Sequence, residues 1–240
     1  MQNWKKASLI TLISLLAGGI YLFSVFEHRR APGIARNTNP EDSLTPDDVA
    51  IVRQTLPTSF DDVVKLQNTS VWMKNGYTMP YFPYEGGRIL FAKNLGTLPA
   101  AQRLDIKKAI KAVPPSSLDD GISHGDRQAF LVFALPGSPT LYATAVGAIE
   151  PGQEMYFSDV LFYYDDPHTI YDNWPKSIWA AIDAHQVLPG MSELQTQMSI
   201  GHKQHTDSRS EGNRTITYDQ AGKKWSVTFV NNKATAIKNP

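Results

Sequence analysis

The run His202-Lys203-Gln204-His205 offers two imidazoles, the side chains best suited to proton transfer or zinc binding at neutral pH. A zinc site needs three or four converging ligands, and a metalloprotease pair carries a glutamate between its histidines. Neither condition is met, so the stretch reads as a polar loop with incidental histidines. Asp119-Asp120, His124 and Asp126 cluster in a second loop, and Asp165-Asp166 with His168 in a third. Brought together, either set could hold a cation or act as acid and base. Asp and Gly also dominate ordinary turns, and solvated turn residues are the preferred reading of both. The chain carries no Gly-x-Ser-x-Gly elbow, phosphate loop or dinucleotide fingerprint. It therefore reads as non-enzymatic, with no catalytic residue, metal site or cofactor assigned.

The constellation that stands out is aromatic. In Gly76-Tyr77-Thr78-Met79-Pro80-Tyr81-Phe82-Pro83-Tyr84, four rings alternate with prolines. Such a segment is a stiff, low-entropy contact surface, suited to a partner chain or a sugar polymer. Tyr77, Tyr81, Phe82 and Tyr84 are accordingly the candidate partner-binding residues. The preferred reading is nonetheless that the segment folds back and its rings plug one end of a barrel, because an exposed aromatic patch is a solubility liability.

The elements that would position these residues begin with an uncharged apolar run, Ala7 to Phe26, about long enough to cross a bilayer as one helix. Its lipid-facing candidates are Ala7, Leu9, Ile10, Leu12, Ile13, Leu15, Leu16, Ile20, Leu22, Phe23 and Phe26. As a signal peptide it is too long, and the nearest small-x-small site, Gly33-Ile34-Ala35, lies behind Arg29 and Arg30. As a core helix it lacks a polar face. An uncleaved single-pass anchor in the cell membrane is the better reading. Lys5 and Lys6 nearly balance Arg29, Arg30 and Arg36, so flanking charge does not set the orientation. The short tail before the anchor favours a periplasmic or extracytoplasmic location for the domains C-terminal to it.

The chain has 23 basic and 23 acidic residues, which removes any general electrostatic drive toward nucleic acid. Cysteine is absent, excluding disulfides, thiolate metal sites and an acylated N-terminal cysteine. Residues 1–30 read as tail and anchor, and 31–60 as a linker with a short helix. That helix is expected to start at Thr45-Pro46-Asp47-Asp48 and end before Pro57. Residues 61–168 read as mostly β. Strands are expected at Thr69–Lys74, Arg103–Val113 (whose Ala and Lys content also allows a helix), Gln128–Ala134, Thr140–Ile149 and Glu154–Tyr164, with a long irregular loop from Asn75 to Gln102. Five strands with such a loop resemble an SH3-like small barrel, and a five-stranded OB-type barrel fits nearly as well.

Residues 169–240 read as helix, helix and a three-stranded meander. Trp174, Ile178, Trp179 and Ile182 recur at helical spacing. Ser192 caps a second helix that Gly201 ends. Trp225, Val227 and Phe229 alternate along a strand, and Asn231-Asn232 supplies a hairpin turn. Gly190-Met191-Ser192-Glu193-Leu194-Gln195, Thr217-Tyr218 and Val227-Thr228-Phe229-Val230-Asn231-Asn232 together resemble the helix and hairpin signatures of SmpA/OmlA (BamE-like) domains. The resemblance covers roughly residues 172 to 238. It departs from the family where Gly201 is followed by His202 instead of proline, and in the missing lipid-bearing cysteine. It implies an α+β envelope domain that binds a protein partner without catalysis. The expectation is thus an α+β chain with a single N-terminal transmembrane helix, a small SH3-like barrel and an SmpA/OmlA-like C-terminal domain. Its expected role is scaffold or accessory subunit of a membrane or envelope complex, with the lipid bilayer and other protein subunits as partners. Peptidoglycan or glycan binding through the barrel is the alternative, and an exported hydrolase the least favoured reading.

Overall fold

From Ala129 to Ala134 every side chain is apolar, the pattern of a strand covered on both faces. In the computed structural model, which describes residues 47, 49–118, 120–122 and 127–239, this strand lies inside the larger of two sheets. The chain divides into two compact units, Met1–Asp48 and Val49–Pro240, and nearly all described residues belong to the second.

The first sheet contains β1 (Ser70–Met73), β2 (Tyr81–Glu85), β3 (Arg88–Ile89), β4 (Arg103–Ala112), β5 (Arg127–Ala134), β6 (Leu141–Glu150), β7 (Gln153–Tyr156) and β8 (Phe162–Tyr163). Its order is β3-β2-β6-β5-β4-β1-β8, with β7 paired to β6. The second sheet, β12-β11-β10-β9, is built from β9 (Lys203–Thr206), β10 (Thr215–Gln220), β11 (Lys223–Val230) and β12 (Lys233–Lys238). All strand pairs are antiparallel. Among the described residues the helices are short: α1 (Phe60–Val64), α2 (Ser158–Leu161), α3 (Pro167–Ile170), α4 (Lys176–Asp183) and α5 (Glu193–Ile200).

This corrects the expected fold class. The described chain is mostly sheet, in two antiparallel sheets of eight and four strands, with no five-stranded barrel, and the three expected C-terminal strands, β10–β12, are joined by a fourth, β9. No helix of the described residues is long and apolar enough to cross a membrane, and Ala7–Phe26 lies outside them. Three local differences account for the change. The segment expected as an irregular loop, Asn75–Gln102, contributes β2 and β3, because Tyr81–Pro83 pair with Tyr142–Thr144 of β6. The stretch expected as one strand, Glu154–Tyr164, is broken by α2 into β7 and β8. The expected polar loop His202–His205 forms most of the edge strand β9, whose backbone pairs with β10 while both imidazoles stay exposed.

The helix expected before Pro57 is also absent from residues 50–58, while Thr45, Pro46 and Asp48 lie outside the described residues. The backbone N–H groups that a helix would use go elsewhere. Thr55 and Leu56 donate theirs to the Asp159 carboxylate at 3.0 and 2.7 Å, with Leu56 at φ 47. The Arg53 side chain donates to the Tyr164 carbonyl (2.7 Å). Asp159 lies over a hundred residues downstream, so no local pattern reveals this strap.

Each sheet has its own buried cluster. Leu131, Phe133, Val71 and Ile106 lie in the first; Ile216, Tyr218, Phe229 and Met198 lie in the second. The two meet at the β1–β8 edge, where Trp72 pairs with Tyr163 and both pack into the second cluster. Tyr77 reinforces the junction. Its ring meets His185 edge-on at 6.0 Å and its hydroxyl accepts from Gln220 (3.3 Å). Gly201, which ends α5 at φ 97, has no Cβ to strike that ring.

Candidate ligand-binding groove

The four aromatic candidates do not share one surface. Strand β2 alternates, and its register sends neighbours to opposite faces. Phe82, opposite Ala143, is buried and meets Phe91 edge-on at 5.4 Å. Tyr84 lies on the same face and is also buried. Tyr81 is half-buried on the other face, against Tyr142 (5.5 Å) and Phe133 (6.4 Å). Burial, with Tyr142 beside it, raises the pKa of its hydroxyl. Tyr77 belongs to the intersheet junction, where burial raises its pKa against the opposing Gln220 hydrogen bond.

Tyr84 leads to a feature not foreseen from the sequence. Glu85-Gly86-Gly87-Arg88 is a two-residue hairpin in which both glycines take positive φ, 55° and 79°. It returns the chain so that Ile89 stands opposite Tyr84 and Arg88 opposite Glu85. Strand β4 approaches the same side through a bulge, where Ile106 pairs with Phe133 but Lys108 with Val132, leaving Lys107 over. The extra residue moves Lys108 onto the face shared by Val132, Ala143 and Phe82. Lys108 Nζ then sits 5.1 Å from the centre of the Tyr84 ring, a cation–π contact that fixes its direction.

Between the β2–β3 hairpin and β4 lies an open groove of about 430 Å³. Its floor is apolar: Tyr84, Phe91, Ile89 and Ile110. Its rim is cationic: Arg88, Lys108 and Lys111. Lys111 is already engaged, lying 3.6 Å from Glu154 and 4.7 Å from the centre of the Phe60 ring. The Tyr156 hydroxyl donates to Glu154 (2.6 Å), and this bond, helped by Lys111 and opposed by desolvation, lowers the pKa of that carboxyl. Neither Arg88 nor Lys108 closes an ion pair among the described residues, and Glu85 stands directly opposite Arg88 in the hairpin. The groove therefore presents the Lys108 ammonium beside the Tyr84 ring on an apolar floor. Its signals in the sequence are the Gly86-Gly87 hairpin, readable in principle, and the bulge at Lys107, which is not.

The Asp/His sets take other roles. Asp120 is buried and accepts from the Ile122 N–H (3.1 Å), while Asp119, His124 and Asp126 lie outside the described residues. Asp166 caps α3 by accepting from the His168 N–H (2.9 Å). The His168 ring lies 2.8 Å from Asp166 through Nδ1 and stacks on Trp179 at 4.0 Å. Asp165 pairs instead with Arg53 (3.1 Å), so structure divides the two aspartates between two tasks. Among the described residues no group of three His, Asp or Glu could hold a metal ion.

Comparison of the chain with known protein families, curated proteins and solved structures finds no match, so no relative identifies an SmpA/OmlA or SH3-like domain.

Proposed function

We propose that this chain is a non-catalytic binding subunit, held at the membrane through the apolar run Ala7–Phe26, that stabilises a larger envelope or membrane complex. The observation that carries this reading is the groove between the β2–β3 hairpin and β4, with an apolar floor and with Lys108 in no ion pair among the described residues. An unpaired cation beside an apolar floor is suited to recognition, since it offers charge and shape complementarity to a bound group. The domains beyond the anchor are taken to lie on the extracytoplasmic side. Purification of the full-length protein from native membranes in mild detergent, with mass spectrometry of co-purifying chains, tests the reading. Stoichiometric companions are expected. A protein that emerges alone and monomeric overturns it.

A second reading, peptidoglycan or glycan binding, draws support from the Tyr84 and Phe91 rings on the groove floor, since flat rings suit sugar faces. Sedimentation with purified cell wall tests it, and full retention in the supernatant removes it.

A further inference from the structure

We propose that the chain between β4 and β5 holds a calcium ion on three oxygens: the Asp120 carboxylate, the Gln128 side-chain carbonyl and the Ile122 main-chain carbonyl. The inference is independent of the groove and of what the chain assembles with. It starts from two oxygens that no donor meets. Asp120 is 6% exposed and Gln128 is fully buried, yet Asp120 Oδ2 and Gln128 Oε1 each lack a hydrogen-bond partner. Buried polar atoms are nearly always paired, so two orphans on neighbouring side chains point to a ligand. Charge narrows its nature. Asp120 Oδ1 accepts from the Ile122 N–H (3.1 Å) and, at longer range, from Gln128 Nε2 (3.4 Å), and no lysine or arginine among the described residues pairs with the carboxylate. A buried carboxylate without a cation is costly. A water molecule would satisfy the two oxygens and leave the charge unmatched, whereas a cation answers both.

Spacing selects the ion. Gln128 Nε2 lies 3.4 Å from Asp120 Oδ1 and 3.5 Å from the Ile122 carbonyl oxygen, both at the long limit of a hydrogen bond. Turning the amide over brings Oε1 to that point, facing the two oxygens across the same distances. Three acceptors so arranged repel one another unless a cation lies among them. Neighbouring oxygens of a coordination shell stand roughly 3.3–3.7 Å apart around calcium and roughly 2.8–3.0 Å apart around magnesium, from their bond lengths. The set is all oxygen, which suits a hard ion better than zinc. Two of its three donors are uncharged, so it needs no group of three acids. The fold holds them in place. Gln128 is fixed in β5 between Ala112 of β4 and Ala148 of β6, Ile122 packs into the first core cluster, and Gly121, at φ 71°, turns the chain between Asp120 and Ile122.

Thermal unfolding of the full-length protein in non-ionic detergent, stripped with a chelator and then titrated with calcium chloride, is the test. One carboxylate implies weak binding, with Kd about 0.1–1 mM. The unfolding midpoint should then rise by about 3–6 °C at about 10 mM calcium. Magnesium, or sodium at matched ionic strength, should give little of that rise. D120N should lose it and, in chelator, unfold no earlier than the wild type, because asparagine keeps the shape and removes the unmatched charge. Q128E adds a second carboxylate, so calcium affinity should tighten about tenfold or more, while stability in chelator falls through repulsion between the two acids. The proposal is overturned by the absence of a calcium-dependent rise in the wild type, by an equal rise with magnesium or sodium, or by a rise that survives in D120N. Should D120N fail to fold, Q128E decides alone: calcium affinity no tighter than that of the wild type overturns the proposal.

Discussion

Two groups of cations in this chain meet opposite circumstances. In the C-terminal part, Arg214 and Lys203 close on Glu193, a carboxylate buried at the start of α5. Arg214 Nε donates to one Glu193 oxygen (2.9 Å), its Nη2 to the other, and the Gly212 N–H adds a third bond (2.7 Å). At the groove, Lys108 stands over the Tyr84 ring and Arg88 faces only the exposed Glu85 across the hairpin, and neither closes an ion pair among the described residues. The first arrangement is self-sufficient: its charges are matched inside the fold. The second is incomplete without something from outside. Charge satisfaction thus separates a site that holds the structure together from one that is available for recognition.

The sharpest way to break this contrast is to remove the buried carboxylate. Glu193→Ala leaves Arg214, only 10% exposed at its side chain, without its main partner. A loss of about 3–5 kcal/mol in denaturant unfolding is expected, the usual cost of breaking a buried pair from one side. A loss below about 1 kcal/mol would mean that the cluster behaves as a surface pair and the comparison fails.

Acid should probe the same cluster more gently, since protonation leaves the side chain in place. Burial alone would raise the Glu193 pKa, but Arg214, the Gly212 N–H and Lys203 outweigh it and hold the carboxyl below its ordinary 4.5. A depressed folded value means that the stabilisation is present above the unfolded pKa and is lost as pH falls through the folded one. Asp159 follows the same sign: desolvation is outweighed by the Tyr164 hydroxyl and the Thr55 and Leu56 N–H groups. Unfolding midpoints should therefore drop between about pH 5 and about pH 3. The slope should be shallower in Glu193→Gln, and an unchanged slope would show that Glu193 does not contribute. At the alkaline end Tyr164, pushed up to about 12 by burial and by Asp159, should give the opposite sign. Its contribution is present below the ordinary value near 10 and is lost as pH rises through the folded value.

Lys203→Met should cost less than Glu193→Ala. Lys203 is more exposed than Arg214 and meets Glu193 at 3.2 Å, while the Arg214 and Gly212 bonds remain. About 1 kcal/mol is expected from thermal unfolding. A cost equal to that of Glu193→Ala would mean that the lysine, and not the arginine, neutralises the carboxylate.

These elements also show what can be read from one sequence. The capping box of α5 is local: Ser192 and Gln195 exchange backbone and side-chain bonds three residues apart. So is the Asn231-Asn232 turn, with φ of 50° and 54°. Both are visible as residue types at fixed offsets. Strand partnership is not. Nothing within Tyr81–Glu85 says that it pairs with β6, about sixty residues on, and without that pairing the segment reads as an irregular aromatic loop. The same limit hides the strap at Asp159, and it hides the groove, whose two walls come from the β2–β3 hairpin and β4. Aromatic residues near proline point to Tyr84, but the alternation of β2 divides those four rings between two faces and a junction. The cation that gives Tyr84 its setting carries no local signal, because Lys108 meets it only through a bulge.

The smallest predicted effect is the most discriminating. Arg88→Gln and Lys108→Gln should each change stability by no more than about 0.5 kcal/mol, because neither side chain closes an ion pair among the described residues. Lys108 gives up only an exposed cation–π contact with Tyr84. Thermal unfolding at low and high salt measures this. If either substitution destabilised the protein by as much as Lys203→Met, the groove cations would be structural after all, and the two clusters would differ only in depth. If stability is unchanged, the positive charge at the groove has no role inside the folded chain, and selection for it must be sought in what the groove binds.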